Sequence, residues 1–160
     1  DAGGMDAGGM DAGGMDAGHD AGGMDAGGMC SLPCGDDCRC RGDECGSCDF
    51  SCAVGEECKA RCDNMCSVIG TDADKVEVEC RADCTVSGEG ADEIKVECSR
   101  GSRCDVDCRG TDKCRVDCKG DDDECTLRCD EGADCEFNNC DDAVTCGGVQ
   151  YCQIDGACDE

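Results

Sequence analysis

The chain has 160 residues and a formal net charge of −26, with 40 acidic against 14 basic residues and 24 cysteines. Nucleic acids and anionic membranes are bound by basic faces, so this charge excludes nucleic acid as an expected partner. No stretch is apolar enough to span a bilayer, so we expect no membrane insertion by the chain itself. One Tyr, two Phe and no Trp cannot build an aromatic core. The fold must therefore be closed by covalent bonds, as in other domains with little apolar surface.

The cysteine content predicts both the bonding and the compartment. Cysteine makes up far more of this chain than it does of ordinary globular proteins, and the even count leaves no thiol unpaired. Disulfides persist in oxidising compartments, whereas cytosolic thiols are kept reduced. We therefore expect an extracellular, cell-surface or periplasmic protein.

Residues 1–29 consist of five Asp-Ala-Gly-Gly-Met units and one shortened Asp-Ala-Gly-His unit. Such a segment buries too little surface to offset its ordering entropy, so it predicts a disordered tether. Its thioethers and imidazole are ligands that suit Cu(I), but duplication of a whole unit explains them as well. These side chains are Met5, Met10, Met15, His19, Met24 and Met29.

A second repeat follows, in which two cysteines flank a central apolar residue, as in Cys104-Asp-Val-Asp-Cys108. Residues two apart share one face of a strand, so the cysteines and the valine point inward and the acids outward. The pattern predicts strands over residues 48–160, and residues 30–47, which are less regular, are expected to form a cap. The central positions are predicted to be Phe50, Ala60, Val76, Val86, Val96, Val106, Val116, Leu127 and Phe137.

A longer period predicts how these strands are arranged. Gly-Thr-Asp or Gly-Ala-Asp recurs at Gly70, Gly90, Gly110 and Gly132, at intervals of about twenty residues. Two strands and two turns per repeat are typical of a solenoid. An antiparallel meander is the alternative, but it would leave one apolar face that the chain cannot cover. The sequence therefore favours an all-β, two-sided β-solenoid.

The strand geometry constrains the disulfides. Cysteines at i and i+4 of one strand lie about 13 Å apart, which is too far for a bridge. We therefore predict bonds across successive turns, although bridges between stacked coils remain an alternative. The predicted pairs are Cys98–Cys104, Cys108–Cys114, Cys118–Cys125, Cys129–Cys135, Cys140–Cys146 and Cys152–Cys158.

Two kinds of metal site are candidates. The corner aspartates are expected to stack along one edge, where oxygen ligands suit Ca²⁺; a solvated acidic edge is the simpler interpretation. Thiolates within residues 30–66, together with the Met and His of the tether, are the candidates for Cu or Zn. No cofactor is required by the fold. The predicted calcium ligands are Asp72, Asp92, Asp112 and Asp134.

The Asp-Ala-Gly tether followed by Cys-x-Val-x-Cys repeats resembles cysteine-rich surface lipoproteins of Gram-negative bacteria. In that group, acidic low-complexity linkers separate a lipidated cysteine from a disulfide-rich domain. The resemblance implies display at a cell surface and a lipid anchor upstream, and it implies no particular activity.

The sequence predicts a structural or binding module rather than an enzyme. The single histidine, His19, lies in the tether, and no phosphate-binding loop, nucleophile elbow or His-based metal motif is present. We expect a rigid acidic scaffold that contacts an unidentified protein or surface. Metal sequestration, by the acidic edge or by Cys, Met and His, is the alternative function.

Overall fold

The structure is a computed structural model that describes residues 29–35, 37–41, 46–120 and 122–152. These residues form fourteen short strands and no helix, and therefore no helix that could cross a membrane. The predicted tether lies outside the described residues except for Met29, which begins the first strand. The strands are β1 (Met29–Cys34), β2 (Cys38–Cys40), β3 (Ser47–Cys52), β4 (Glu57–Cys62), β5 (Met65–Ile69), β6 (Lys75–Cys80), β7 (Cys84–Ser87), β8 (Glu93–Cys98), β9 (Arg103–Asp107), β10 (Lys113–Cys118), β11 (Glu124–Arg128), β12 (Asp134–Asn138), β13 (Val144–Cys146) and β14 (Val149–Cys152).

Successive strands alternate between two sheets. Sheet A has the order β1-β3-β5-β7-β9-β11-β14-β13, and sheet B has the order β12-β10-β8-β6-β4-β2. From β1 to β12, each strand pairs in parallel with the strand two places along the chain. This is a two-sided β-solenoid, which confirms the predicted fold class, and the antiparallel meander is wrong.

The coils are about 19 residues long on average, close to the predicted twenty. Phe50 pairs with Val68, 18 residues on, whereas Val106 pairs with Leu127, 21 residues on. The corners absorb the difference, since Cys80 and Cys84 are separated by 4 residues and Cys118 and Cys125 by 7. The paired central positions stay in register while the turns vary in length.

The core is two facing columns of single side chains, and the predicted alignment is wrong at one strand. Val78, not Val76, holds the central position of β6, because it pairs with Ala60 and Val96. The central position of β5, which the sequence alignment missed, is Val68. The columns are Phe50, Val68, Val86, Val106 and Leu127 in sheet A, and Ala60, Val78, Val96, Val116 and Phe137 in sheet B.

Val76 and Ile94 occupy a flanking position, where other coils have a bridging cysteine. Each of them packs against a glycine of the opposite sheet. A Cβ on Gly70 would lie 2.3 Å from Val76 Cγ2, and one on Gly88 would lie 2.5 Å from Ile94 Cδ1. A disulfide is thus replaced by a glycine and a branched aliphatic side chain that together fill the same space.

Both ends differ from the predicted domain boundaries. Residues 30–47 do not form a separate irregular cap, because β1 pairs with β3 and β2 with β4 in the register of the first coil. At the other end, β14 pairs antiparallel with β11 and with β13, so the regular winding stops at β12. Residues 153–160, the last part of the predicted solenoid, lie outside the described residues.

Replacement of Ile94 by alanine should destabilise the fold by about 2–5 kcal/mol, because Ile94 is fully buried and Gly88 offers no side chain to refill the space. Ile69→Ala is the matched control: Ile69 is 48% exposed, so its truncation should cost less than about 1 kcal/mol. Denaturant unfolding without reductant measures both, and equal losses would contradict the assignment of the core.

Candidate functional site

The disulfides join the two sheets at the corners, as predicted. We name the corner where the chain passes from sheet A to sheet B the AB corner, and the return the BA corner. Four predicted pairs are bonded in the structure, with Cα atoms 6.2–6.7 Å apart. They are Cys98–Cys104, Cys108–Cys114, Cys118–Cys125 and Cys129–Cys135.

The two pairs predicted near the C-terminus are wrong. Cys140 is bonded to Cys152, with Cα atoms 5.7 Å apart, so neither Cys140–Cys146 nor Cys152–Cys158 forms. Cys146 is itself in a disulfide, and Cys158 lies outside the described residues. The reason is the antiparallel pairing of β14 with β11, which turns the last strand back over the end of the solenoid.

The four predicted calcium ligands do not line up. Asp72 has φ of 52° and lies above the positive-φ glycine of the next coil, since a Cβ on Gly90 would lie 2.2 Å from its carboxylate oxygen. Asp92 and Asp112 lie two positions further along the corner than Asp72, directly before their strands begin. Asp134 lies inside β12, where it pairs with Lys113. The 18-residue coil shifts Asp72 by two places relative to the twenty-residue repeat.

This displacement bears on the calcium hypothesis. All four aspartates are exposed. Among the described residues, the groups of three or more potential ligands within 4.8 Å of one another consist of cysteines, and none includes these aspartates. Calcium binding by Asp72, Asp92, Asp112 and Asp134 therefore stays a prediction for which the structure provides no shared coordination point.

Asp123 is a structural carboxylate that the sequence pattern did not predict. It is fully buried at the BA corner. One oxygen accepts hydrogen bonds from the backbone N–H groups of Gly101 (2.7 Å) and Ser102 (3.0 Å) of the preceding coil. The other accepts from the N–H of Gly120 (2.6 Å) within its own corner. The Asp123 side chain thus links two successive BA corners through hydrogen bonds, in a region where the backbone is not in a strand.

The outer face of sheet B carries alternating charges. Along two rows that run from coil to coil, acidic and basic side chains alternate in register, except that Lys95 lies beside Arg115 in the second row. Neighbouring opposite charges in a sheet attract across the strands. The rows are Glu57, Lys75, Glu93, Lys113 and Asp134, and Lys59, Glu77, Lys95, Arg115 and Glu136.

Glu77 shows the effect of this arrangement most clearly. Its carboxylate lies 2.7 Å from Lys75 Nζ and 3.0 Å from Lys59 Nζ. Hydrogen bonds from Lys75 and then Lys59 lower the pKa of Glu77 from its ordinary 4.5 to about 2. The ammonium groups therefore hold this carboxylate ionised well into acid.

The outer face of sheet A is different in its first coils. Among the outward positions of β3, β5 and β7, the only charged residue is Asp49. Met65 and Ile69 are 55% and 48% exposed on this face. Removing water from hydroxyl and aliphatic groups costs less free energy than removing it from charged groups. A partner would therefore pay a smaller desolvation penalty on this face than on a charged one. The remaining outward residues are Ser47, Ser51, Ser67, Thr85 and Ser87.

Comparison of the chain with protein-family models, curated proteins and solved structures gives no match.

Removal of the Asp123 carboxylate should destabilise the protein by about 1–3 kcal/mol, because the N–H groups of Gly101, Ser102 and Gly120 lose their acceptor and that of Ser102 is buried. Asp123→Asn, which keeps one oxygen, should lose less than Asp123→Ala. The exposed neighbour Asp122 supplies the control, since Asp122→Ala should change stability by less than about 0.5 kcal/mol. Urea unfolding measures all three, and a neutral Asp123→Ala would show that the corners hold without this side chain.

The pairing of Glu77 should also appear in the pH dependence of stability. A carboxyl whose pKa is lower in the folded than in the unfolded state stabilises the fold above the unfolded pKa. This stabilisation should be lost as the pH falls from about 4.5 to about 2. Glu77→Gln should be less stable than wild type near neutral pH, and the two curves should converge near pH 2. Parallel urea-unfolding profiles over this range would contradict the pairing.

Proposed function

We propose that this solenoid is a non-enzymatic structural or binding module that works outside the cytoplasm. The observation that carries the proposal is the set of nine disulfides that join the two sheets. No free cysteine occurs in the described part of the chain. Cross-links of this density require an oxidising environment to form and to persist.

The sizes of the disulfide loops indicate a structural role for the bridges rather than a chemical one. Each closes a loop of only 4 to 8 residues. In the chain-entropy model, a loop of this size stabilises the fold by about 2 kcal/mol, and the contributions are not additive. With a bridge or a glycine–aliphatic pair at successive corners, the column cannot easily bend or open. A shape held in this way suits a spacer or a display platform.

The two outer faces suit different tasks. The outer face of sheet B carries many charged side chains, several of them in ion pairs such as those of Lys59 and Lys75 with Glu77, so removing water from it would cost free energy. The first coils of sheet A present hydroxyl and aliphatic groups, and we propose this face as the contact with a protein or surface partner. Nucleic acid is disfavoured as that partner by the net charge of −26.

The resemblance to cysteine-rich surface lipoproteins adds an attachment to this proposal. A module of this kind would be held at a cell surface through segments N-terminal to the solenoid, with a lipid anchor upstream. Metal sequestration by thiolates is disfavoured in this oxidised form, because a sulfur engaged in a disulfide is not a thiolate ligand.

A count of free thiols tests the proposal. The native protein, denatured without reductant and treated with an alkylating agent, should take up almost no label. The same treatment after reduction should label up to 24 cysteines. Reduction should also lower the melting temperature and expose the chain to protease. Many alkylated thiols in the unreduced sample, together with bound Zn or Cu, would instead identify a metal-sequestering protein.

A further inference from the structure

The BA corner contains an unbroken stack of disulfides. Each coil from the first to the fifth contributes one bridge there, whereas the AB corner is interrupted where Gly70 faces Val76 and Gly88 faces Ile94. The BA stack is Cys40–Cys48, Cys62–Cys66, Cys80–Cys84, Cys98–Cys104 and Cys118–Cys125.

Sulfur atoms of neighbouring bridges in this stack come close to one another. Cys80, Cys98 and Cys104 form one group whose Sγ atoms all lie within 4.8 Å of one another. Cys98, Cys118 and Cys125 form a second such group one coil further on, so Cys98 belongs to both. All five side chains are buried. The parallel register brings them together, since Cys80 and Cys98 are directly paired across adjacent strands.

A third group lies at the other corner, near the C-terminal end of the winding. It consists of Cys114, Cys129 and Cys135, again with the sulfur atoms within 4.8 Å of one another. Cys129 and Cys135 are only partly buried. Their bridge is therefore the most accessible of those in the three groups.

In each group two sulfurs are bonded to each other, and the third belongs to the bridge of the neighbouring coil. Reduction would leave three thiols within reach of one ion. A tetrahedral ion with metal–sulfur bonds of about 2.3 Å places its ligand sulfurs about 3.8 Å apart. After reduction, the two sulfurs of the broken bridge would separate to about this distance, and the third, within 4.8 Å, would approach by about 1 Å or less. Strand pairing places cysteines of adjacent coils side by side, as with Cys80 and Cys98, and a bound ion would replace part of the cross-linking that reduction removes.

We propose that reduction of these bridges converts the three sulfur groups into binding sites for soft, thiolate-seeking cations such as Zn²⁺, Cd²⁺ or Cu⁺. A dithiol reductant supplies two electrons and two protons to each disulfide, giving two thiols, and is itself oxidised to a disulfide. The metal then displaces one proton from each thiol that it binds. The oxidised form is a closed scaffold, and the reduced form is a metal-binding protein.

The rest of the molecule supports cation uptake in the reduced form. A net charge of −26 raises the local concentration of cations around the solenoid. The partly buried bridge Cys129–Cys135 should be reduced first, so the site that it shares with Cys114 should be the first to bind metal. Cys98, as a ligand common to two groups, would bridge two ions.

Cadmium titration of the reduced full chain tests this proposal. The protein is reduced with dithiothreitol under anaerobic conditions, freed of reductant and titrated with Cd²⁺. Thiolate-to-metal charge-transfer absorption and native mass give the number of ions bound. The oxidised protein should bind no Cd²⁺ with a thiolate signature, and the reduced protein should bind about three ions, one for each group.

Two variants separate the proposed sites from random thiol binding. Cys98→Ser removes the ligand shared by two groups, so the reduced variant should bind about one ion. Cys62→Ser removes a thiol from the same stack that belongs to none of the groups, and it should still bind about three. Equal stoichiometry in the two variants, or no charge-transfer signal in the reduced wild type, would overturn the proposal.

A reduced sample in denaturant supplies a further criterion. If the solenoid holds the thiols together, unfolding should weaken Cd²⁺ binding. Equal affinity in the folded and denatured samples would show that the thiols act individually and would also overturn the proposal. The thiol count of the unreduced protein is measured beforehand, so failure of the structural proposal and failure of this one are distinguishable.

Discussion

The disulfide across each corner is the interaction on which the rest of the structure depends. The interior is only two side chains thick, and its central columns consist mostly of valine. Burial on this scale leaves little margin over the conformational entropy lost on folding. Short-range bridges lower the entropy of the unfolded chain and occupy the remaining interior volume at the same time. The exception at Val76 and Ile94 supports this view, because a corner without a bridge needs a glycine and a larger aliphatic group to fill the same space.

The corner disulfides also determine which outward side chains are neighbours on the surface. Once the corners set the register of parallel strands, every outward residue has a defined neighbour one coil away. The chain uses these neighbours to place most basic side chains of sheet B next to acids, as with Lys59, Lys75 and Glu77. A chain with many more acids than bases can thus remain compact, since its few cations lie where they offset repulsion most directly. The buried carboxylate of Asp123 is also stabilised by its neighbours, but by backbone N–H groups rather than by a cation.

Strand type and most bridges could be predicted because they follow from local spacing. Alternation of period two requires strands, and strand geometry forbids bonds such as Cys104–Cys108 while allowing Cys98–Cys104. The errors arose where the chain departs from a constant repeat. A coil of 18 residues displaced Asp72 from the other corner aspartates and moved the central position from Val76 to Val78.

The remaining differences involve contacts between residues far apart in the sequence. The Cys140–Cys152 bond depends on an antiparallel strand whose partner, β11, lies more than twenty residues earlier. The role of Asp123 depends on N–H groups of the preceding coil, to which no sequence motif points. The Asp-Asp-Asp run offered one weak signal, in that its last member directly precedes a strand.

The strands at the two ends of the described solenoid disfavour end-to-end pairing with a second molecule. Exposed strand edges in a parallel stack are templates for further pairing. At the first coil, β1 carries Pro33, which has no N–H to donate, and β2 has only three residues, with the charged Arg39 at its centre. At the other end, β14 runs antiparallel to β11 and separates it from the three-residue edge strand β13, so the parallel winding of sheet A is interrupted there. The disulfides that make the interior rigid would also make any mispairing of an edge strand permanent. Interrupted edge strands are therefore important in a fold that is held by disulfides.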